Sequence, residues 1–212
     1  HALPPSSARG SVMNDVPTID TGRLLLCPPQ EADHQPLAVF LGGERSEFIG
    51  GPESLWTAWR DCMANIGHWH LHGFGLWTIK LKSNQQAIGR TGILNPSMWR
   101  EPELGWHLFD GHEGHGYAYE ATLAARTHAY DQLKLAPLAS YIESQNTRSI
   151  ALAERLGAKF EADTTLMGQP VQLYRHPKPE GARMSDVTNT PAQNCRNTDA
   201  IQTAVFIQRG EL

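Results

Sequence analysis

The sequence predicts a mixed α+β fold: one mostly antiparallel sheet with helices laid against it. Three observations carry this. Short alternating runs broken by Gly, Asn and Pro come early and read as antiparallel hairpins. Longer stretches with helical spacing of apolar residues separate them. The second half then alternates strand, helix, strand, helix. That order fits a layered α+β arrangement rather than a doubly wound one.

Arg23–Pro28 is an apolar run stopped by prolines and reads as strand one. Pro36–Leu41 opens a first helix, with Leu37, Val39 and Phe40 apolar. Leu55–Trp69 reads as a second, because Trp56, Trp59, Cys62, Met63 and Ile66 recur at helical spacing. Gly73 and Gly75 break the chain. Leu76–Leu81 alternates as a strand, Ser83-Asn84 turns, and Ala87–Leu94 is the hairpin partner. Glu103–Phe109 is a fourth strand. Tyr117–Leu133 is the longest helical pattern, with Ala118, Ala121, Ala125, Ala129 and Leu133 as a stripe of small residues that lets the helix sit close to a sheet. Pro137–Ile142 is a fifth strand, Thr147–Leu156 a helix, and Lys159–Ala162 and Val171–Arg175 the last two strands.

The 212 residues suit one domain with tails. The expected domain runs over 13–178, with Met13 as native start behind an appended tail at 1–12, and a polar tail at 179–212. Within that tail Ile201, Thr203, Val205 and Ile207 alternate as a strand would, and are expected to add to a sheet edge on this chain or on a partner, as in a homodimer. The formal charge of -4 argues against a nucleic-acid partner. No apolar run approaches the ~20 residues of a membrane span, so no membrane partner is expected. Cys27, Cys62 and Cys195 are scattered and odd in number, which gives no disulfide framework and points to a cytoplasmic home.

The chemistry concentrates around Glu113-Gly114-His115-Gly116-Tyr117, at a strand-to-helix junction. Glycines there leave backbone N–H groups uncovered beside the positive end of a helix dipole, which suits a phosphate. On the strand before it, period two puts Glu103, Gly105, His107 and Phe109 on one face. Glu103 and His107 are candidates for proton transfer; the bland alternative is a solvated glutamate and a packed ring. Asn146 and Ser149 open the next helix. Asn146 has the position of an ordinary N-cap, and the functional alternative is an amide gripping a ligand with a hydroxyl protonating a leaving group.

The run Glu103–Ala121 (ELGWHLFDGHEGHGYAYEA) resembles the pyrophosphate-binding segment of the GNAT acetyltransferase superfamily, and within it the ribosomal-protein N-terminal acetyltransferase (RimJ/RimL-like) branch. Thr21-Gly22-Arg23-Leu24, Ile88-Gly89 to Gly92-Ile93, and Asn146-x-x-Ser149 through Glu154-Arg155-Leu156-Gly157 extend the similarity over residues 17–177. The resemblance implies a GNAT fold whose sheet splays between strands four and five, with acetyl-CoA as co-substrate, no metal, and a primary amine as acceptor, either a protein N-terminus or a small molecule. It implies that Leu108, Phe109 and Asp110 meet the pantetheine arm, that Gly114, His115, Gly116, Tyr117 and Ala118 carry the pyrophosphate, and that Asn146 contacts the arm. Ser149 would protonate the departing thiolate, and Glu103 matches a strand glutamate that is sometimes the general base, with His107 or a water chain as the alternatives. The reaction is then direct aminolysis of a thioester, in which an oxyanion needs an N–H donor from the fourth strand.

The sequence departs from the pattern at Gly111, where Gln or Arg is usual, at Glu113, an acid beside the pyrophosphate loop, and at Ala158, where Phe is usual. His68 and His72 share a helix face at a spacing zinc ligands use, but no cysteine or carboxylate nearby completes a set; these rings are expected to line the rim where the acceptor enters. The alternative to an enzyme is a non-catalytic CoA-binding sensor or scaffold, which would keep the glycine loop and lack a working acid and base.

Overall fold

The computed structural model describes residues 16–135, 137–177 and 189–190. In chain order the elements are β1 (Thr18–Asp20), β2 (Leu24–Cys27), a 3-10 turn at Glu31–Asp33, α1 (His34–Leu41), a second 3-10 turn at Glu44–Ile49, α2 (Leu55–His72), β3 (Leu76–Leu81), β4 (Ala87–Leu94), β5 (Glu103–Leu108), α3 (Tyr117–Asp131), β6 (Ala139–Ile142), α4 (Thr147–Arg155), β7 (Lys159–Leu166), β8 (Gln169–Arg175) and β9 (Asn189–Thr190). They form one sheet in the order β7-β8-β6-β5-β4-β3-β2-β1-β9. Every neighbouring pair is antiparallel except β5 and β6. The expected strands four and five are β5 and β6, because the short β1 precedes them and is too brief to show a pattern. The tails at 1–12 and 179–212, and the strand expected at 201–207, lie outside the described residues apart from β9, which pairs with β1.

The main core lies between the sheet and α3. Ala121, Ala125 and Ala129 are fully buried there with Leu104, Ile88, Ile93 and Trp77. Their small side chains let the helix backbone approach the strands, and each large aliphatic partner contributes roughly 2 kcal/mol of burial. The glycines of β4 belong to the same economy of space: a Cβ on Gly89 would come within 2.3 Å of the His107 carbonyl oxygen on β5.

On the opposite face α1 and α2 pack Leu37, Phe40, Leu41, Ala58 and Cys62 against Phe109. Ser54 caps α2, its hydroxyl accepting the Thr57 N–H at 3.2 Å. The buried stripe of α2 is Ala58, Cys62, Asn65 and Trp69; of the residues read from spacing, Cys62 is buried and Met63 and Ile66 pack beside it. Trp56 is exposed and stacks on Trp59 at 5.1 Å. The reason is polar: the Asn65 amide donates to the Leu76 carbonyl and accepts the Leu76 N–H, both at 2.9 Å, while the Trp69 indole donates to the same carbonyl at 3.0 Å. A satisfied asparagine locks the helix onto the start of β3 and sets its rotation.

β7 extends beyond the expected Lys159–Ala162 to Leu166. Among the described residues it pairs on one side only and is solvent-exposed for most of its length, so it carries no apolar alternation to read. Cys62 is a buried free thiol.

Candidate active site

β5 and β6 share a single registered pair, Glu103 with Ala139, before they part. The Phe109 N–H donates to Ile88 at 2.8 Å, on the β4 side. By alternation the backbone groups of Leu104, Trp106 and Leu108 therefore face β6. Where the ladder fails, side chains take over. The Ser140 hydroxyl donates to the Leu104 carbonyl at 2.6 Å, and the Glu103 carboxyl accepts the Tyr141 N–H at 3.4 Å. Behind Ser140 stands buried His176, its ring 2.9 Å from the Ser140 oxygen and 3.3 Å from the Arg126 guanidinium. Since Arg126 can only donate, His176 accepts with Nδ1 and offers its Nε2 proton to Ser140. Burial holds His176 down to about 3, with Arg126 and then Arg175 adding to the effect, so it stays neutral and the chain of donors keeps one direction.

At the far end of the gap the chain turns into α3 through Gly114 and Gly116, with φ of +77 and +78 degrees. A Cβ on Gly114 would meet nothing, and one on Gly116 only the Arg23 guanidinium at 3.5 Å. Backbone conformation and open space in front, rather than packing, select glycine here. Gly116 is the N-cap and has no side chain to satisfy the first-turn N–H groups. Glu120, in that turn, is bound by the Thr21 hydroxyl at 2.6 Å and by the Arg23 backbone N–H and Nε at 2.8 Å each. Arg23 also donates to the His115 carbonyl at 2.9 Å and lies over the Tyr117 ring. The Thr21-Gly22-Arg23 motif is thus a clamp that holds the glycine turn, a role its position in the sequence did not disclose.

A cavity of about 610 Å³ runs from this turn along the gap, lined by Leu108, Gly114, Gly116, Tyr117, Ala118, Asn146 and Ser149 among the expected residues, and by Arg45, Trp106, Arg148 and Arg155 among those not foreseen. Phe109, Asp110 and His115 do not line it. Phe109 is buried between α1 and α2, its N–H spent on β4; Asp110 points outward to Arg45 at 2.5 Å; and the His115 carbonyl is turned to Arg23. Arg45 also pairs with Glu113, which neutralises the acid beside the loop. Ala158 is buried with Ile142, Ala153 and Tyr174.

A second cavity, of about 680 Å³, adjoins the first and shares with it the turn at Glu47 to Ile49 together with Trp106, His107, Asn146 and Ser149. Asn146 is the N-cap of α4, its Oδ1 accepting the Ser149 N–H at 3.1 Å, so the bland reading holds while the same residue also lines both cavities. The Ser149 hydroxyl makes no hydrogen bond among the described residues. Glu103 lies in the second cavity, where burial pushes its carboxyl up to about 7 against a weak opposing pull from the Tyr141 N–H. His107 stacks flat on Phe40 at 5.2 Å and accepts a hydrogen bond from Arg90 Nε at 3.3 Å. Burial, then the Arg90 charge, hold it well below the ordinary histidine range. Arg90 is itself paired with Asp61 at 2.5 Å.

The histidines at the end of α2 are not on the rim. His68 meets the Phe74 carbonyl at 2.6 Å through Nδ1 and accepts the Asn95 N–H at 3.0 Å through Nε2, so both nitrogens clip the loops flanking β3 and β4 together. The rim is formed instead by the turn at Glu44–Ile49, Trp99, and Leu166 and Met167 at the β7–β8 turn.

The sequence matches the Acetyltransferase (GNAT) domain family over residues 23–159. An acetyltransferase from Agrobacterium tumefaciens str. C58 is 36% identical, with a TM-score of 0.72 over 77% of this chain and 95% of its own. The ribosomal-protein-S5-alanine acetyltransferase of Vibrio fischeri shares the fold at 14% identity, with a TM-score of 0.60 over 74% of this chain and 94% of its own. The ribosomal L7/L12 acetyltransferase RimL, solved with coenzyme A, does so at 19% identity and a TM-score of 0.62, over 75% of this chain and 97% of its own. The uncharacterized protein YkkB of Bacillus subtilis (strain 168) is 26% identical over 105 residues, 49% of this chain; the match spans 61% of that protein's length. The chain belongs to the GNAT acetyltransferase family, the class of acetyl-CoA-dependent N-acetyltransferases. No helix among the described residues is long and apolar enough to cross a membrane.

Proposed function

We propose that this protein acetylates a primary amine by direct transfer, with Glu103 as general base and Ser149 as general acid. The observation that carries this reading is the junction of the two cavities at Ser149, with Glu103 in one of them and the uncapped α3 N-terminus at the end of the other. The first cavity fits acetyl-CoA in its chemistry: free helix N–H groups with Arg148 and Arg155 suit a diphosphate, Arg45 offsets the nearby Glu113, and the unpaired β6-facing edge of β5 suits an amide chain. When bound, that co-substrate supplies the activated acetyl group.

The residues of the chain then have separate tasks. Glu103, with its carboxyl poised near neutrality, takes the proton that the attacking amine must lose. His107 is a poor base, because its accepting nitrogen is engaged by Arg90 and its ring is held neutral. Backbone N–H groups on the β6-facing edge of β5 are the donors available to a developing oxyanion. The Ser149 hydroxyl gives its proton to the sulfur as the C–S bond breaks and the N–C bond forms. The presence of Ser149 at the junction and of Glu103 in the adjoining cavity favours an enzyme over a non-catalytic CoA-binding scaffold.

The test is thiol release from acetyl-CoA across an amine panel, alongside CoA affinity by calorimetry, for wild type, Ser149→Ala and Glu103→Gln. We expect turnover to fall by about 100-fold in each with CoA affinity within about threefold, the range usual for a lost acid or base. Wild-type turnover in Ser149→Ala would remove the acid role, and equal loss of affinity and turnover would make Ser149 a positioning residue.

A further inference from the structure

The two cavities differ in charge. The one ending at the glycine turn is lined by Arg45, Arg148 and Arg155 against Glu47 and Glu113, with Glu113 paired to Arg45, so Arg148 and Arg155 are left without a carboxylate partner among the described residues. The other is lined by Glu47, Glu53, Asp61, Glu103 and Glu143, and its one arginine, Arg90, is already paired with Asp61 and hydrogen-bonded to His107. Among the described residues Glu47, Glu53, Glu103 and Glu143 have no cationic partner. The same cavity presents Phe48, Trp99, Trp106 and Tyr141, faces that attract cations further. A formal charge of -4 on the whole chain does not dictate such a difference, since Arg148 and Arg155 line the other cavity without an ion-pair partner among the described residues.

We propose that the acceptor is a small amine carrying at least one positive charge besides the amine that reacts. This deepens the catalytic reading above and rests on it. A protein N-terminus with a neutral sequence brings only the reacting ammonium, which must be deprotonated before attack, and so leaves Glu47, Glu53 and Glu143 unmatched. A second ammonium on the acceptor meets those carboxylates while the first lies at Glu103. Its charge also lowers the basicity of the reacting amine, so the neutral form is easier to reach. Glu47, Glu53 and Asp61 are exposed, whereas Glu103 and Glu143 are half-buried, so carboxyl groups line the cavity from its surface inward. Their field draws cations in and weakens with salt.

The experiment compares acetylation of butylamine, 1,4-diaminobutane and spermidine by the full chain with acetyl-CoA, together with two peptides, one of neutral sequence and one with lysines after its N-terminal residue. We expect kcat/KM for 1,4-diaminobutane to exceed that for butylamine by about tenfold, equivalent to about 1.4 kcal/mol. Spermidine should do at least as well, and raised salt should shrink the ratio. In Glu53→Gln/Glu143→Gln the ratio of diamine to monoamine should fall toward one, with CoA affinity reporting that the fold is intact. Equal rates for butylamine and 1,4-diaminobutane, or either peptide outrunning the diamines, overturn the proposal while leaving the catalytic roles standing. Binding of CoA with no acetylation of any amine overturns the catalytic reading and this one together.

Discussion

Arg23 and Glu120, 97 positions apart in the chain, are joined twice: the Arg23 backbone N–H and its Nε each donate to the Glu120 carboxylate at 2.8 Å. This pair connects β2 to the first turn of α3 and holds the glycine turn from behind. Burial by itself would raise the Glu120 pKa, but the hydrogen bonds from Thr21 and Arg23 outweigh it and leave the carboxyl below its ordinary value.

Replacing Arg23 with alanine should therefore loosen the cradle more than the fold. The pair is partly exposed, so screening limits its worth to about 1 kcal/mol. We expect a fall of a few degrees in Tm for Arg23→Ala, with CoA affinity about tenfold weaker by calorimetry. Because the Glu120 pKa is lowered in the folded state, this stabilisation is present above the unfolded value and is lost as pH falls through the folded one. The Tm difference between wild type and variant should shrink on strong acidification.

Gly116→Val should abolish CoA binding with a modest cost to the fold. A branched residue at φ +78 degrees is strained, and its side chain would stand in front of the helix N–H groups. Calorimetry decides this; unchanged affinity would exclude the turn as the diphosphate site.

The pH profile of kcat/KM should rise with an inflection near 7 that belongs to Glu103, whose carboxylate form is required. In Glu103→Gln that inflection should be absent from whatever activity remains. Its persistence would assign the limb to the acceptor amine or to another group.

Stability should fall on acidification from pH 7 to 5. His176, folded near 3 against about 6.5 unfolded, is protonated first in the unfolded chain, so its contribution is intact above the unfolded value and drains away below it, by about 2 kcal/mol at pH 5. His68, His107 and His128 are lowered too and act in the same direction. Glu103, raised in the folded state to about 7, opposes them by about 2 kcal/mol over the same window, so the net fall rests on the histidines besides His176. Urea denaturation at the two pH values measures the slope, and His176→Phe should flatten it.

The sheet, most helices and the glycine turn were legible because each rests on local pattern: alternation in β3 and β4, small residues along α3, Gly-x-Gly before Tyr117. What was not legible depends on partners distant in sequence. Nothing near Arg23 announces Glu120, and nothing near Asp110 or Phe109 says that the strand edge facing β6 belongs to Trp106 and Leu108 instead. The spacing in α2 gave Trp56 the same weight as Cys62, yet Asn65 fixed the buried face through hydrogen bonds to Leu76. His68 looked like a ligand or a rim residue until both ring nitrogens found backbone partners.

The single shared rung between β5 and β6 has a mechanical consequence. Strands β1 to β5 and strands β6 to β8 form two leaves joined across the gap by the Ser140 bond to the Leu104 carbonyl, the Tyr141 N–H on Glu103 and the pairing of Arg175 with Glu101. A thioester arm threaded along the opening would act as a rivet, restoring the missing rungs with its own amides. Heating the free protein should then let the leaves come apart at different temperatures, and saturating it with coenzyme should merge the two events into one calorimetric peak.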